Sequence, residues 1–255
     1  MRMIPVIDIL NGIAVHGVAG NREQYRPLES PYCETSNPVA VVSGLQKHFG
    51  FTEFYIADLD AIQHQKPNAQ LYWELVDQGV DLLLDAGISE KKQLSELRGE
   101  FEKRSQHRLK VSRLSIIIGL ETLKSWKSLD ELVGVEDERF LIFSLDLKHG
   151  IPIENSLDEK LRDPMRIVER VCKTGIRRMI VLDLAQVGMG EGVTTLELCA
   201  KIKLQYPQCE LITGGGIKTQ EDIVPLKDVG IDAVLVATAL HNGKLFPKKT
   251  GMTLD

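Results

Sequence analysis

The sequence predicts an α/β fold, a single (βα)₈ barrel in which eight parallel strands alternate with helices. Three observations predict it. Eight short, β-branched and nearly continuously apolar runs recur along the chain, the pattern of strands buried on both faces. Longer amphipathic runs separate them, and strand–helix alternation on that scale implies a parallel sheet. The two halves of the chain also echo one another, as a duplicated half-barrel would. A length of 255 residues suits one barrel of this kind. With no linker or low-complexity block, residues 1–255 read as one domain.

The candidate strands are residues 3–9, 53–60, 80–85, 114–119, 139–146, 177–183, 209–213 and 232–237. Helices fall between them. Asn37-Pro38 and Asp163-Pro164 each set a capping residue before a proline at the first helical position. Ser89 opens a run towards Arg104, and Thr219 followed by Asp222 resembles a capping box with Asp in place of Glu. Residues 69–78, 123–133 and 195–206 carry apolar side chains at helical spacing. The echo of the halves pairs Ile7-Asp8-Ile9-Leu10-Asn11-Gly12 with Leu145-Asp146-Leu147-Lys148-His149-Gly150. It also pairs Ala57-Asp58-Leu59 with Leu182-Asp183-Leu184, and Asp85-Ala86-Gly87-Ile88 with Gly214-Gly215-Gly216-Ile217. The order is kept and the offset is nearly constant.

Two segments break the layout. Residues 11–36, long and rich in Gly, Asn and Arg, have the length of a functional loop such as a lid. Residues 98–113 are a mixed-charge stretch read as a solvated helix extension. The tail 246–255 leaves little room for a full eighth helix. A net charge of −5 and a pI near 5.8 argue against nucleic acid as a partner. No apolar run reaches membrane-spanning length, and Asp8 arrives too early for a signal peptide. Cys33, Cys172, Cys199 and Cys209 lie scattered without ligand spacing, as packing residues of a reducing compartment. The expectation is a cytoplasmic protein.

Chemistry concentrates at predicted strand ends. Asp8 and Asp146 end the first and fifth strands, which lie opposite each other in an eight-stranded barrel, so both would face the C-terminal mouth. Two carboxylates at one pocket can divide acid and base roles if their environments differ. Gly214, Gly215 and Gly216 follow the seventh strand, and Ala237-Thr238 end the eighth. Glycines let backbone N–H groups approach a phosphate, and the loops after strands seven and eight are the recurrent phosphate position of this fold. His16, His64 and His149 lie near strand tops, the last close enough in sequence to tune Asp146. Asp58, Asp60 and Asp183 either orient a substrate hydroxyl or cap loops. Trp73 and Trp126 read as outer packing.

These residues resemble a known family. Ile4-Pro5-Val6-Ile7-Asp8 with Asn11-Gly12, Ala57-Asp58-Leu59-Asp60-Ala61, Asp146, residues 214–217 and Ala239-Leu240 with Gly243-Lys244 look like the HisA/HisF family of histidine biosynthesis, a ribotide isomerase and an imidazole-forming cyclase. The resemblance implies a duplicated TIM barrel acting on a phosphorylated ribosyl-aminoimidazole compound, with no metal and no organic cofactor. It implies that Asp8 is the base and Asp146 the acid of an Amadori rearrangement. The chain departs from the family where a second glycine-rich phosphate site belongs, reading Asp85-Ala86-Gly87-Ile88 and Gly119-Leu120-Glu121-Thr122. Leu182 and Val187-Gly188-Met189 replace the isomerase pattern after the sixth strand, and His16 stands where the isomerase has Arg and the cyclase Lys.

The expected substrate is therefore a small phosphorylated molecule held by one phosphate. Four readings stay open: a HisA-like isomerase, a cyclase fed by a glutaminase partner, an enzyme on a monophosphate, and a non-catalytic phosphate binder. For the third, the sequence resembles a divergent branch from organisms that make methanopterin-type C1 coenzymes. Oligomeric state is open.

Overall fold

In a computed structural model, which describes residues 1–17, 22–104, 112–153, 162–186 and 193–245, eight parallel strands close on themselves. They are β1 (Arg2–Leu10), β2 (Glu53–Asp58), β3 (Asp81–Asp85), β4 (Leu114–Gly119), β5 (Leu141–Lys148), β6 (Arg178–Asp183), β7 (Glu210–Gly214) and β8 (Ala233–Val236). Each pairs with the next, and β8 returns to β1 through the register Arg2↔Ala233 to Pro5↔Val236. The chain is a (βα)₈ barrel, as the alternation predicts. Residues 18–21 of the long first segment, 105–111 of the mixed-charge stretch, Val187-Gly188-Met189 and the tail 246–255 lie outside the described residues.

The apolar strands serve two cores, because successive side chains point to opposite faces. In β2, Tyr55 and Ala57 join an inner cluster with Ile4, Leu83, Ile117, Ile142, Ile180 and Ile212. Phe54 and Ile56 point outward, into the larger cluster shared with the helices. Beneath the inner cluster, Arg2, Glu53, Arg178 and Glu210 form an alternating ring. Arg2 pairs with both Glu53 and Glu210, and Arg178 lies 3.6 Å from Glu53 and 3.0 Å from Glu210.

The helices are α1 (Pro38–Phe49), α2 (Leu59–His64), α3 (Ala69–Asp77), α4 (Lys91–Arg104), α5 (Trp126–Val133), α6 (Pro164–Cys172), α7 (Leu196–Gln205), α8 (Val224–Asp228) and α9 (Thr238–His241). Asn37 caps α1 by accepting from the N–H groups of Val39 and Ala40, and Asp163 caps α6 through Met165, an arrangement worth about 1 kcal/mol each. Trp73 meets Phe101 edge-on and Trp126 lies under the Arg170 guanidinium, both in the outer layer. Cys199 and Cys209 are buried, and all four cysteines are free.

Three expectations need correction. The strand expected to run to residue 60 stops at Asp58, whose carboxylate caps α2 at once by accepting from the Ala61 N–H. No helix begins at Thr219: Asp222 instead accepts from the Lys218 and Thr219 N–H groups at 2.8 and 2.9 Å, and α8 starts later, at Val224. The first long segment is only partly a loop. Its beginning forms a hairpin of β1 with a short strand Ile13–His16. Farther on, Tyr32 packs against His48 and Phe49 of α1, and its backbone lies so close that a Cβ at Gly44 would fall 2.2 Å from the Tyr32 carbonyl oxygen.

The echo of the halves appears at the mouth. Asn11-Gly12 and His149-Gly150 both turn with positive φ, 53° and 74° in one pair and 53° and 77° in the other. Two consecutive left-handed residues make the tight turn that matches strand twist. Each turn is pinned by an acid of the neighbouring strand or the helix that follows it. Gly12 donates to Asp60 at 3.1 Å, and His149 and Gly150 donate to Asp183 at 3.0 and 2.8 Å.

Candidate active site

A cavity of about 340 Å³ opens at the C-terminal ends of the strands, the face where barrel active sites form. Asp8 of β1 and Asp146 of β5, on opposite sides of the ring, both line it. The chain is shaped around both carboxylates. A Cβ on Gly17 would fall 2.4 Å from Asp8 Oδ2, and one on Gly119 would fall 3.4 Å from Asp146 Oδ2.

Asp146 is buried, and burial pushes its carboxyl up to about 7, with the negative charge of Glu121 next in weight. The Ser144 hydroxyl, donating to Asp146 Oδ1 at 2.7 Å, opposes the shift without cancelling it. A carboxyl with that value holds its proton over much of the neutral range and can donate it, as a general acid must. Asp8 is only partly buried. The two acids therefore sit in unlike environments at one cavity.

One lip of the cavity is glycine. Gly215 and Gly216 line it with φ of 82° and 80°, a backbone region that side chains with a Cβ rarely enter. Ile217, Lys218, Ala237, Thr238, Asn242 and Lys244 complete this side. Gly214 does not line the cavity. A Cβ there would lie 2.8 Å from the Leu235 Cβ, so this glycine lets β7 and β8 pack closely.

The related lip, after β3 and β4, is closed by its own side chains. Asp85 Oδ1 accepts from the Gly87 N–H at 3.1 Å, and the Tyr55 hydroxyl donates to Asp85 Oδ2 at 3.4 Å. The Ser89 and Glu90 N–H groups, ahead of α4, donate to Gln93 Oε1 at 2.9 and 3.1 Å. A Cβ on Gly87 would lie 2.8 Å from the Ile62 Cα. Asp85 thus occupies, as an internal anion, amide capacity that a bound phosphate would use. Tyr55 is buried, and its hydroxyl is held protonated by that burial and by the charges of Asp85, Asp146, Asp8 and Glu121.

Other predicted residues lie elsewhere. Asp58 is buried under α2, where it caps the helix and accepts from the Tyr72 hydroxyl; it does not line the cavity. His16 sits on the Ile13–His16 strand, also outside the lining. It neighbours the buried His241, which burial and His16 together hold down at about 4 and which shares a 2.9 Å hydrogen bond with Ser30. His149 is exposed at its turn and His64 at the end of α2, and neither lines the cavity. Asp60 and Asp183 pin the two hairpins. In the mixed-charge stretch, Arg98 of α4 pairs with Glu136 and donates to the Leu114 carbonyl of β4 at 3.2 Å, and Arg113 pairs with Asp81 of β3, so its described part ties α4 to β4 and the approach of β4 to β3. Sequence reasoning missed Gly17, Tyr55, Lys218 and Asn242, and met Lys244 only as part of the family motif. The alternation in β2 that sends Tyr55 and Ala57 inward was the available signal for one of them.

A family model described as histidine biosynthesis protein matches residues 2–246. An uncharacterized protein of Methanocaldococcus jannaschii is 34% identical over 96% of this chain and 95% of its own length. A protein of Flavobacterium johnsoniae is 24% identical over 98% of this chain and 97% of its own. One of Methanococcus vannielii is 23% identical over 94% of each. These last two are named as imidazole-4-carboxamide isomerases whose substrate name contains both a phosphoribosyl and a phosphoribosylamino group.

Proposed function

This chain belongs to the histidine biosynthesis (HisA/HisF) family, and within it we propose an intramolecular isomerase of a phosphorylated aminosugar or ribotide that carries one phosphate. The observation that carries the reading is the pair of carboxylates on opposite strands of one cavity, with Asp146 near neutrality. The substrate phosphate lies against Gly215, Gly216 and Thr238, with Lys218 and Lys244 supplying positive charge. Asp146 gives its proton to the ring oxygen as the C1–O bond opens. Ring opening leaves an iminium at C1, and Asp8 takes the proton from C2 to give the enaminol. Asp8 then returns that proton to C1 while the O2 hydroxyl gives its proton to Asp146, which yields the ketose and restores both carboxyl groups. No atom is gained or lost, and no cofactor enters. His16 and Asp58 have no part in these steps.

The relatives named as isomerases have two phosphoribosyl groups in their substrate name. Here the second phosphate would meet Asp85 and Glu121, and like charges brought close together repel. A substrate outside histidine biosynthesis, such as a monophosphate precursor of a C1 coenzyme, is therefore the preferred version. The expected setting is the cytoplasm, with neither nucleic acid nor membrane as partner.

The test is proton exchange. The purified protein is incubated in D2O with a panel of phosphorylated aminosugars and N-ribosides, and deuterium at C2 is read by NMR. Exchange that disappears in Asp8→Asn supports the reading. An absence of exchange across the panel, together with crystals that hold phosphate away from Gly215 and Gly216, overturns it.

A further inference from the structure

Asp8 and Asp146 stand at related positions of the two halves, and their surroundings differ. Ser144, two residues before Asp146 on the same strand, donates its hydroxyl to Asp146 Oδ1 at 2.7 Å. The residue two before Asp8 is Val6, whose side chain has nothing to donate. Around Asp8 the chain instead folds back on itself. The strand Ile13–His16 pairs with β1 through Asp8↔Val15, and the two-residue strand Arg26–Pro27 pairs with it in turn through Val15↔Pro27 and His16↔Arg26. One further step in that register sets Tyr25 opposite Gly17. Side chains alternate along a strand, so Tyr25 points to the same face as Pro27, Val15 and Asp8. The packing agrees, since Val15 belongs to the inner cluster and the half-buried Tyr25 packs against it. Gly17 marks the meeting point. A Cβ there would fall 2.4 Å from Asp8 Oδ2 and 3.6 Å from the Tyr25 hydroxyl oxygen.

We propose that Tyr25 is a positioning residue for Asp8: its phenol donates to the carboxylate and keeps it turned into the cavity, as Ser144 does for Asp146. The proposal rests on the reading of Asp8 as the base and deepens it. A base must meet the proton it abstracts within a narrow range of distance and angle, and a carboxylate left unanchored rotates. A donor carried in by the hairpin fixes that rotation. It also favours the charged carboxylate, the form a base needs. Gly17 permits the approach, because a side chain there would press on the carboxylate.

The experiment reads the Asp8 carboxyl directly, by carbon-13 NMR of the full chain labelled at aspartate, with its signal identified by its loss in Asp8→Asn. Tyr25→Phe keeps the ring and removes only the donor. Its Asp8 signal should titrate roughly one pH unit higher than in wild type. Tyr32→Phe is the control, since Tyr32 lies in the same segment and packs on His48 and Phe49 of α1; it should leave the titration in place. The other titratable groups lining the cavity, Asp85, Glu121, Asp146, Tyr55, Lys218 and Lys244, are the same in all three proteins. On a substrate that exchanges its C2 proton, Tyr25→Phe should lower kcat about tenfold with KM unchanged. An Asp8 signal that titrates alike in wild type and Tyr25→Phe overturns the inference, as does an equal shift in Tyr32→Phe. A shift confined to Tyr25→Phe supports it even if no compound of the panel exchanges, a failure that falls on the isomerase reading alone.

Discussion

The lips after β7 and β3 are related positions of one barrel, and they solve the same local problem in opposite ways. After β7, Gly215 and Gly216 turn through left-handed conformations and leave the backbone facing the cavity. After β3, Asp85 folds back and accepts from the Gly87 amide. The first lip stays open to the cavity, and the second is closed by its own side chain. A duplicated fold therefore does not oblige a duplicated site. At the second lip one carboxylate at the end of a strand, that of Asp85, takes up the turn amide.

The largest expected effect tests whether the acid pair serves both lips as one site. Asp8→Asn or Asp146→Asn should lower turnover by about 10²- to 10⁴-fold with circular dichroism unchanged. Wild-type turnover should fall as pH rises through about 7, where Asp146 loses its proton. A pH profile flat across that range would remove Asp146 as the acid.

Next in size is the stability cost of keeping Asp146 beside the closed lip. Its carboxyl is raised in the folded chain, so the fold holds a proton that the unfolded chain has already released. The stabilising contribution is complete below the ordinary carboxylate range and is lost as pH rises through about 7. Urea denaturation at pH 5 and pH 8 should show wild type losing a few kcal/mol more than Asp146→Asn. Equal losses would mean that the carboxyl is not raised.

Smaller effects separate the lips themselves. Gly216→Ala forces a Cβ into φ near 80°. It should cost about 1–2 kcal/mol of stability and weaken inorganic phosphate binding roughly tenfold; unchanged affinity would move the anion elsewhere. The weakest effect is a gain. Asp85→Gly with Glu121→Thr frees the Gly87 amide and removes two negative charges, so crystals grown in phosphate should hold two anions where the wild type holds one. A single anion in the variant would show that the closed lip depends on more than these acids.

Much of this architecture was legible in the sequence because burial on both faces leaves a strong signature. Continuous apolar runs marked all eight strands, and Asp8 and Asp146 stood out as acids within apolar strand sequences. The caps Asn37 and Asp163 were legible because proline fixes the next residue's conformation. Asp58 was not, since the apolar Leu59 hides a helix that starts where the strand stops. Three successive glycines look equivalent on the page. In space Gly214 answers to Leu235 while its two neighbours answer to the cavity. Whether Asp85 faces a ligand or its own backbone is a matter of side-chain rotation, which spacing cannot encode.

The charged ring of Arg2, Glu53, Arg178 and Glu210 has a kinetic consequence. With the inner apolar cluster above it, it closes the barrel beneath the cavity among the described residues. On the proposed function, reactant and product would use the C-terminal mouth in turn, and each turnover would wait until that opening is clear.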